Sequence, residues 1–132
     1  MSNIPKQKRP LSPHLQVYKP QMTSMTSIMN RITGVALSFG LIMFTWWLCA
    51  LAGGIETHMQ FQNFAGSWYG QFLLMGFSFS LIYHLLNGIR HLMWDAGNGI
   101  DIASAYRSGW LVIFGTALLT LVIWAKAYGL IF

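Results

Sequence analysis

His84 and His91 stand seven residues apart in an otherwise apolar run that also holds Tyr83, Asn87, Gly88 and Arg90. Polar groups in such a run need a reason to be there, because each is costly in lipid. At 1.5 Å of rise per helical residue, His84 lies roughly 10 Å deep, measured from the inner end of the run at Arg90–His91. A neutral imidazole at that depth suits an axial ligand of haem iron. Gly88 follows one turn later on the same face, where a missing side chain leaves room for a flat macrocycle. His91 falls on that face near the surface, within reach of a haem propionate. The alternative is that His84 hydrogen-bonds across a helix bundle and His91 is an ordinary interfacial residue.

Two histidines about 10 Å apart along one helix axis cannot ligate opposite faces of one iron. His14 and His58 lie outside the apolar runs, and Cys49 is the single cysteine, so no Cys-rich metal site or internal disulfide exists. A bis-histidine haem would therefore need its second ligand from another polypeptide.

A second constellation is Ser27, Asn30 and Arg31, at the start of an earlier apolar run. Ser27 and Arg31 are four apart and share a helix face. A hydroxyl and a guanidinium there can hold the oxygens of a quinone head group at the lipid surface. The plainer reading makes Ser27 a helix cap and Arg31 a charged anchor.

The elements that must position these residues follow from composition. Of 132 residues, 55% are hydrophobic and 8% charged, against about a quarter charged in soluble domains. Three stretches carry no charge: Ile32 to Ile55, Thr57 to Ile89, and Ser108 to Ala125. A bilayer core takes roughly 20 apolar helical residues. The expected fold is therefore an all-α membrane domain, residues 23–132, with spans near 32–52, 69–89 and 109–131. The polar stretch around Glu56–Ser67 is expected to be an outer loop and Asp95–Ser108 an inner one. Strands would need alternating polarity, which the runs lack.

The net charge of +5 is distributed for a membrane, not for nucleic acid. Lys6, Lys8, Arg9, Lys19 and Arg31 precede the first span, Arg90 and Arg107 flank the inner turn, and residues 53–68 contain no Lys or Arg. This asymmetry predicts a cytoplasmic amino terminus, with Lys126 the exception. Tryptophans and tyrosines toward the span ends fit an interfacial belt. The polar leader is too long for a signal peptide and lacks a transit peptide's Arg/Ser pattern, so a bacterial inner membrane is expected. Residues 1–22 hold Pro5, Pro10, Pro13 and Pro20, and read as an extended strap lying on headgroups or a partner. Thr23, Ser24, Thr26 and Ser27 are candidate caps for the first helix, and Gly53-Gly54 its stop. Small residues at Gly34/Ser38 and Ala36/Gly40 favour close helix approach.

Arg9-Pro10-Leu11-Ser12-Pro13-His14-Leu15, Ser27-Ile28-Met29-Asn30-Arg31-Ile32-Thr33-Gly34 and His84-Leu85-Leu86-Asn87-Gly88-Ile89-Arg90-His91, with Asp95 following, together resemble the cytochrome b556 subunits of succinate dehydrogenase. The likeness covers nearly the whole chain. It implies a haem b and ubiquinone-bearing anchor of respiratory complex II, serving the tricarboxylic acid cycle and the respiratory chain. It further implies His84 as an axial haem ligand, with a second small anchor subunit supplying the other. His91 and Arg31 are implied on the haem propionate side, and Ser27 and Arg31 at the ubiquinone site beside the iron–sulfur subunit. The strap would lie against the hydrophilic iron–sulfur and flavoprotein subunits. Some bacterial members have histidine where this chain has Asn30; an amide donates a hydrogen bond but carries no charge. With no nucleotide fingerprint of its own, the chain is expected to have no succinate chemistry alone. A fumarate reductase anchor and a haem-free structural or transporter subunit are the alternatives.

Overall fold

A computed structural model of the chain describes His14 and residues 19–130. Four helices follow one another: α1 Met22–Ala52, α2 Ile55–Gly66, α3 Trp68–Asp95 and α4 Ile102–Ala127. Three of them, α1, α3 and α4, are long and apolar enough to cross a membrane. Most of the proline-rich strap falls outside the described residues.

The helices outrun the apolar runs that announced them. With 31, 28 and 26 residues, α1, α3 and α4 reach about 46, 42 and 39 Å, against a hydrocarbon core of about 30 Å. α1 begins ten residues before Ile32, so Ser27, Asn30 and Arg31 ride on a continuous helix. Its N-cap is Gln21, without a side-chain bond, so Thr23, Ser24, Thr26 and Ser27 lie inside the helix rather than at its cap position. The expected inner loop likewise shrinks to residues 96–101, because Asp101 caps α4 by accepting from the Ser104 N–H at 2.9 Å.

The expected outer loop is a helix. Along α2, Thr57, His58, Phe61, Phe64 and Ala65 are the covered positions, a helical stripe that packs on α1 and α3. The Phe61 ring meets Trp46 edge-on, with centroids 5.0 Å apart. Gln60, Gln62 and Asn63 face outward. Thr57 stitches the α1–α2 corner by donating to the Ala50 carbonyl at 2.8 Å.

The bundle buries as many polar side chains as apolar ones. Thr26, Thr33, Ser80, Asn87, Arg90, Thr116 and Thr120 are buried, while leucines, isoleucines and phenylalanines along all three long helices stay exposed. That is the inverse of a water-soluble fold, and it follows from lipid being as apolar as Leu: close packing and hydrogen bonds must hold the helices together. Close packing is explicit at Gly40, where an added Cβ would overlap the Phe77 ring. On α4 the buried positions Ala105, Gly109, Val112, Thr116 and Thr120 form one stripe. Thr116 and Thr120 donate to carbonyls four residues back, so no hydroxyl in that stripe is left unpaired.

Candidate functional site

Two parallel stripes run along the C-terminal half of α3. Tyr83, Asn87 and Arg90 form one, and His84, Gly88 and His91 the next, rotated by one residue or about 100°. The first stripe is buried and the second is half-covered. α1 supplies the matching residues at Thr26, Asn30, Thr33 and Gly34.

The seat of His84 is built by α1. Its Nδ1 lies 3.1 Å from the Asn30 carbonyl and 3.5 Å from Thr33 Oγ1. A carbonyl only accepts, so Nδ1 carries the proton and Nε2 keeps a lone pair. Thr33 Oγ1 itself donates to the Met29 and Asn30 carbonyls at 2.9 and 3.0 Å, which turns its own lone pairs toward the ring. Gly34 lies under the imidazole: a Cβ there would stand 3.3 Å from His84 Cε1. The small residue expected to ease helix approach at position 34 thus meets the histidine itself.

Gly88, one turn along the same stripe, has open space where its Cβ would be. A flat group beside His84 would thus meet no side chain from that position. His91 is also in the Nδ1–H form, donating to the Asn87 carbonyl of its own helix at 2.7 Å. The Asn87 amide nitrogen 3.5 Å from that same Nδ1 is a donor facing a donor and forms no bond. The His91 ring packs edge-on against Trp94. Both histidines thus present Nε2, but only His84 is pinned by a second helix. Among the described residues no three His, Cys, Asp or Glu side chains converge on a metal.

Ser27 is half-covered and Arg31 exposed, at the cytoplasm-facing end expected for α1. Each directly follows a residue that touches α3 (Thr26 and Asn30), so the pair flanks the α1–α3 contact. Asn30 Oδ1 is buried and has no hydrogen-bond partner.

The residue missed from sequence is Arg90. Assigned there to the charge flank of the inner turn, it is 3% exposed. Nε donates to Ser108 Oγ at 2.9 Å, one terminal nitrogen to Thr26 Oγ1 at 3.0 Å and Asn87 Oδ1 at 3.2 Å, and the other to the Ala105 carbonyl at 2.8 Å. Its guanidinium carbon stands 4.1 Å from the centre of the Trp94 ring. The Tyr83 hydroxyl completes the cluster by donating to the Thr26 carbonyl at 3.1 Å. The available signal was the i, i+4, i+7 spacing of Tyr83, Asn87 and Arg90.

Three helices long and apolar enough to cross a membrane, with an imidazole held between two of them, define a multi-pass membrane protein. The particular family is shown by likeness. The family described as succinate dehydrogenase/fumarate reductase transmembrane subunit matches residues 5–123, and the chain belongs to it. A succinate dehydrogenase cytochrome b556 subunit of Paracoccus denitrificans is 43% identical over 126 residues, covering 93% of this chain and 97% of the relative. The Rickettsia prowazekii protein of the same description is 44% identical over 117 residues, 89% and 91% of the two chains. The mitochondrial cytochrome b560 subunit of Bos taurus is 39% identical over 114 residues, 83% of this chain and 66% of the relative.

Proposed function

We propose that this chain is the haem b-binding membrane anchor of a succinate:ubiquinone oxidoreductase in a bacterial inner membrane. It works there beside a second small anchor subunit, an iron–sulfur subunit and a flavoprotein subunit. The observation that carries the reading is the His84 seat: an Nδ1–H donated to the Asn30 carbonyl leaves Nε2 as the ligating atom. A carbonyl behind a ligating histidine fixes its tautomer and ring orientation and raises its basicity. Haem b, when bound, supplies a one-electron ferric/ferrous couple.

The remaining chemistry belongs to the chain's own side chains. His84 Nε2 would be this chain's ligand to the haem iron, and a second anchor subunit would supply another. Gly88 gives clearance, Arg31 would provide guanidinium donors on the propionate side, and His91, whose Nδ1–H is spent on the Asn87 carbonyl, lines that same side. Ser27 and Arg31 donate to a ubiquinone oxygen from the flank of α1. Reduction to the quinol takes two electrons and two protons, and the polar end of α1 opens to water that supplies the protons. Succinate is oxidised in the flavoprotein, not here. The family's description covers fumarate reductase anchors as well, but the relatives named above are succinate dehydrogenase subunits, which favours the succinate direction.

A reduced-minus-oxidised spectrum of the purified complex tests the reading. A b-type band with both succinate:ubiquinone and succinate:artificial-acceptor activity is expected. A complex without the band contradicts it.

A further inference from the structure

A buried guanidinium with neutral acceptors only is unusual, and the mechanism above does not use it. Among the described residues no carboxylate accepts from Arg90; hydroxyls, an amide oxygen and a backbone carbonyl do. Leaving a buried cation without partners is costly, so its acceptors are held tightly around it. Those acceptors come from three helices: Thr26 on α1, Asn87 on α3, and Ala105 and Ser108 on α4. A planar fork with five donors fixes directions as well as distances, and stacking on Trp94 removes the freedom to rotate out.

The consequence for the site lies along α1. Thr26 is gripped twice, through its hydroxyl by Arg90 and through its carbonyl by Tyr83. Asn30 is one turn further, and its carbonyl accepts the hydrogen bond from His84 Nδ1–H. Ser27 and Arg31 are the residues immediately after these two. Sliding or turning α1 against α3 would move the imidazole's acceptor and the quinone-facing pair together. The backbone acceptor cannot adjust by itself, because it is locked in helix α1.

We infer that Arg90 is a positioning residue: its neutral-shell clamp on Thr26 fixes α1 against α3. It thereby sets both the His84–Asn30 hydrogen bond and the placement of Ser27 and Arg31. The inference rests on the haem and quinone roles given to those residues. It concerns geometry, so its first readout needs no haem.

The intact purified complex is compared with Arg90→Met and Thr26→Val variants. Spin labels carried by a bioorthogonal amino acid at the exposed positions Met25 and Leu92 report the α1–α3 distance. Low-temperature EPR and redox titration report the haem ligand field, and ubiquinone KM is measured beside kcat with an artificial acceptor. A shifted or broadened distance is expected, with altered haem g-values or potential, a severalfold higher KM and an unchanged artificial-acceptor rate. Thr26→Val should shift all of these in the same direction by less. Should Arg90→Met not assemble, Thr26→Val, which removes only a hydroxyl, carries the test. A wild-type distance overturns the clamp. A changed distance with wild-type g-values, potential and KM overturns its control of the site. A haem-free wild-type complex refutes the haem assignment instead, while the distance still decides the clamp.

Discussion

An Nδ1–H aimed at a main-chain carbonyl is a stiff support for a metal ligand, because the acceptor has no rotamer of its own and is held in helix α1. The distance of 3.1 Å allows little slack, and Gly34 sets how near the ring may come. Gly34→Ala places a methyl 3.3 Å from His84 Cε1, so the ring must yield by a few tenths of an ångström. The expected outcome is a full complement of haem with shifted EPR g-values or potential. Wild-type values would show that Gly34 does not seat the ring. At the proposed quinone pair, Ser27 and Arg31, losing one hydroxyl bond to a neutral carbonyl should cost about 0.5–1.5 kcal/mol, and losing a charged donor about 1.5–3 kcal/mol. Ser27→Ala and Arg31→Leu should therefore both lower ubiquinone reduction, Arg31→Leu the more, while artificial-acceptor reduction persists. Parallel loss of both activities would mean that the pair holds the complex together. Neither falling would leave Arg31 a plain charged anchor.

Among the elements, α1, α3 and α4 were legible because a charge-free run of about 20 residues has one reading in lipid. Their true ends were not, since helix continues through polar residues wherever the backbone stays paired. α1 runs through Asn30 and Arg31 for this reason, and α4 starts at the Asp101 cap rather than at Gly109. α2 was masked by Glu56, Gln60, Gln62 and Asn63, which gave a loop-like composition. Its apolar positions Phe61, Phe64 and Ala65 had the helical period all along. Of the site, the His84–Gly88–His91 stripe was legible from spacing, whereas Arg90 was not, because an arginine at a span end ordinarily reads as a surface charge. The α4 cap gives a pH prediction. The Asp101 carboxyl is held below the ordinary carboxylate range by hydrogen bonding, first to the Ser104 side chain and then to its backbone. A lowered folded-state value stabilises above the unfolded value of about 4 and is lost as pH falls through the folded one. Protection of the first-turn amides of α4 from hydrogen exchange should thus be level between pH 7 and 5 and fall only in stronger acid. Asp101→Ala should be less protected throughout that range. Equal protection in the two proteins would remove the cap from the account.

At the scale of the whole molecule, charge asymmetry orients the bundle and polar contacts hold it together. The Lys and Arg residues before the first span, set against none between 53 and 68, predict a cytoplasmic amino terminus and α3–α4 connection, with α2 outside. In a Cys49→Ser background, an impermeant maleimide should label Gln60→Cys in intact cells, and Asn98→Cys only after the inner face is opened. Asn98 is preferred to Asp101 because the latter caps α4. The reverse accessibility would invert the topology and move Ser27 and Arg31 away from any cytoplasmic partner.

The most direct measurement is the spectrum and midpoint potential of the assembled complex carrying His84→Ala, with His91→Ala beside it. His84 is the one histidine among the described residues whose proton is given to another helix, so its loss should abolish the b-type signal or convert it to an altered one. The His91 variant should keep the iron ligated and shift only the potential, its Nδ1–H being spent within α3. Wild-type spectrum and potential in the His84 variant would contradict the assignment of His84 as this chain's ligand to haem iron.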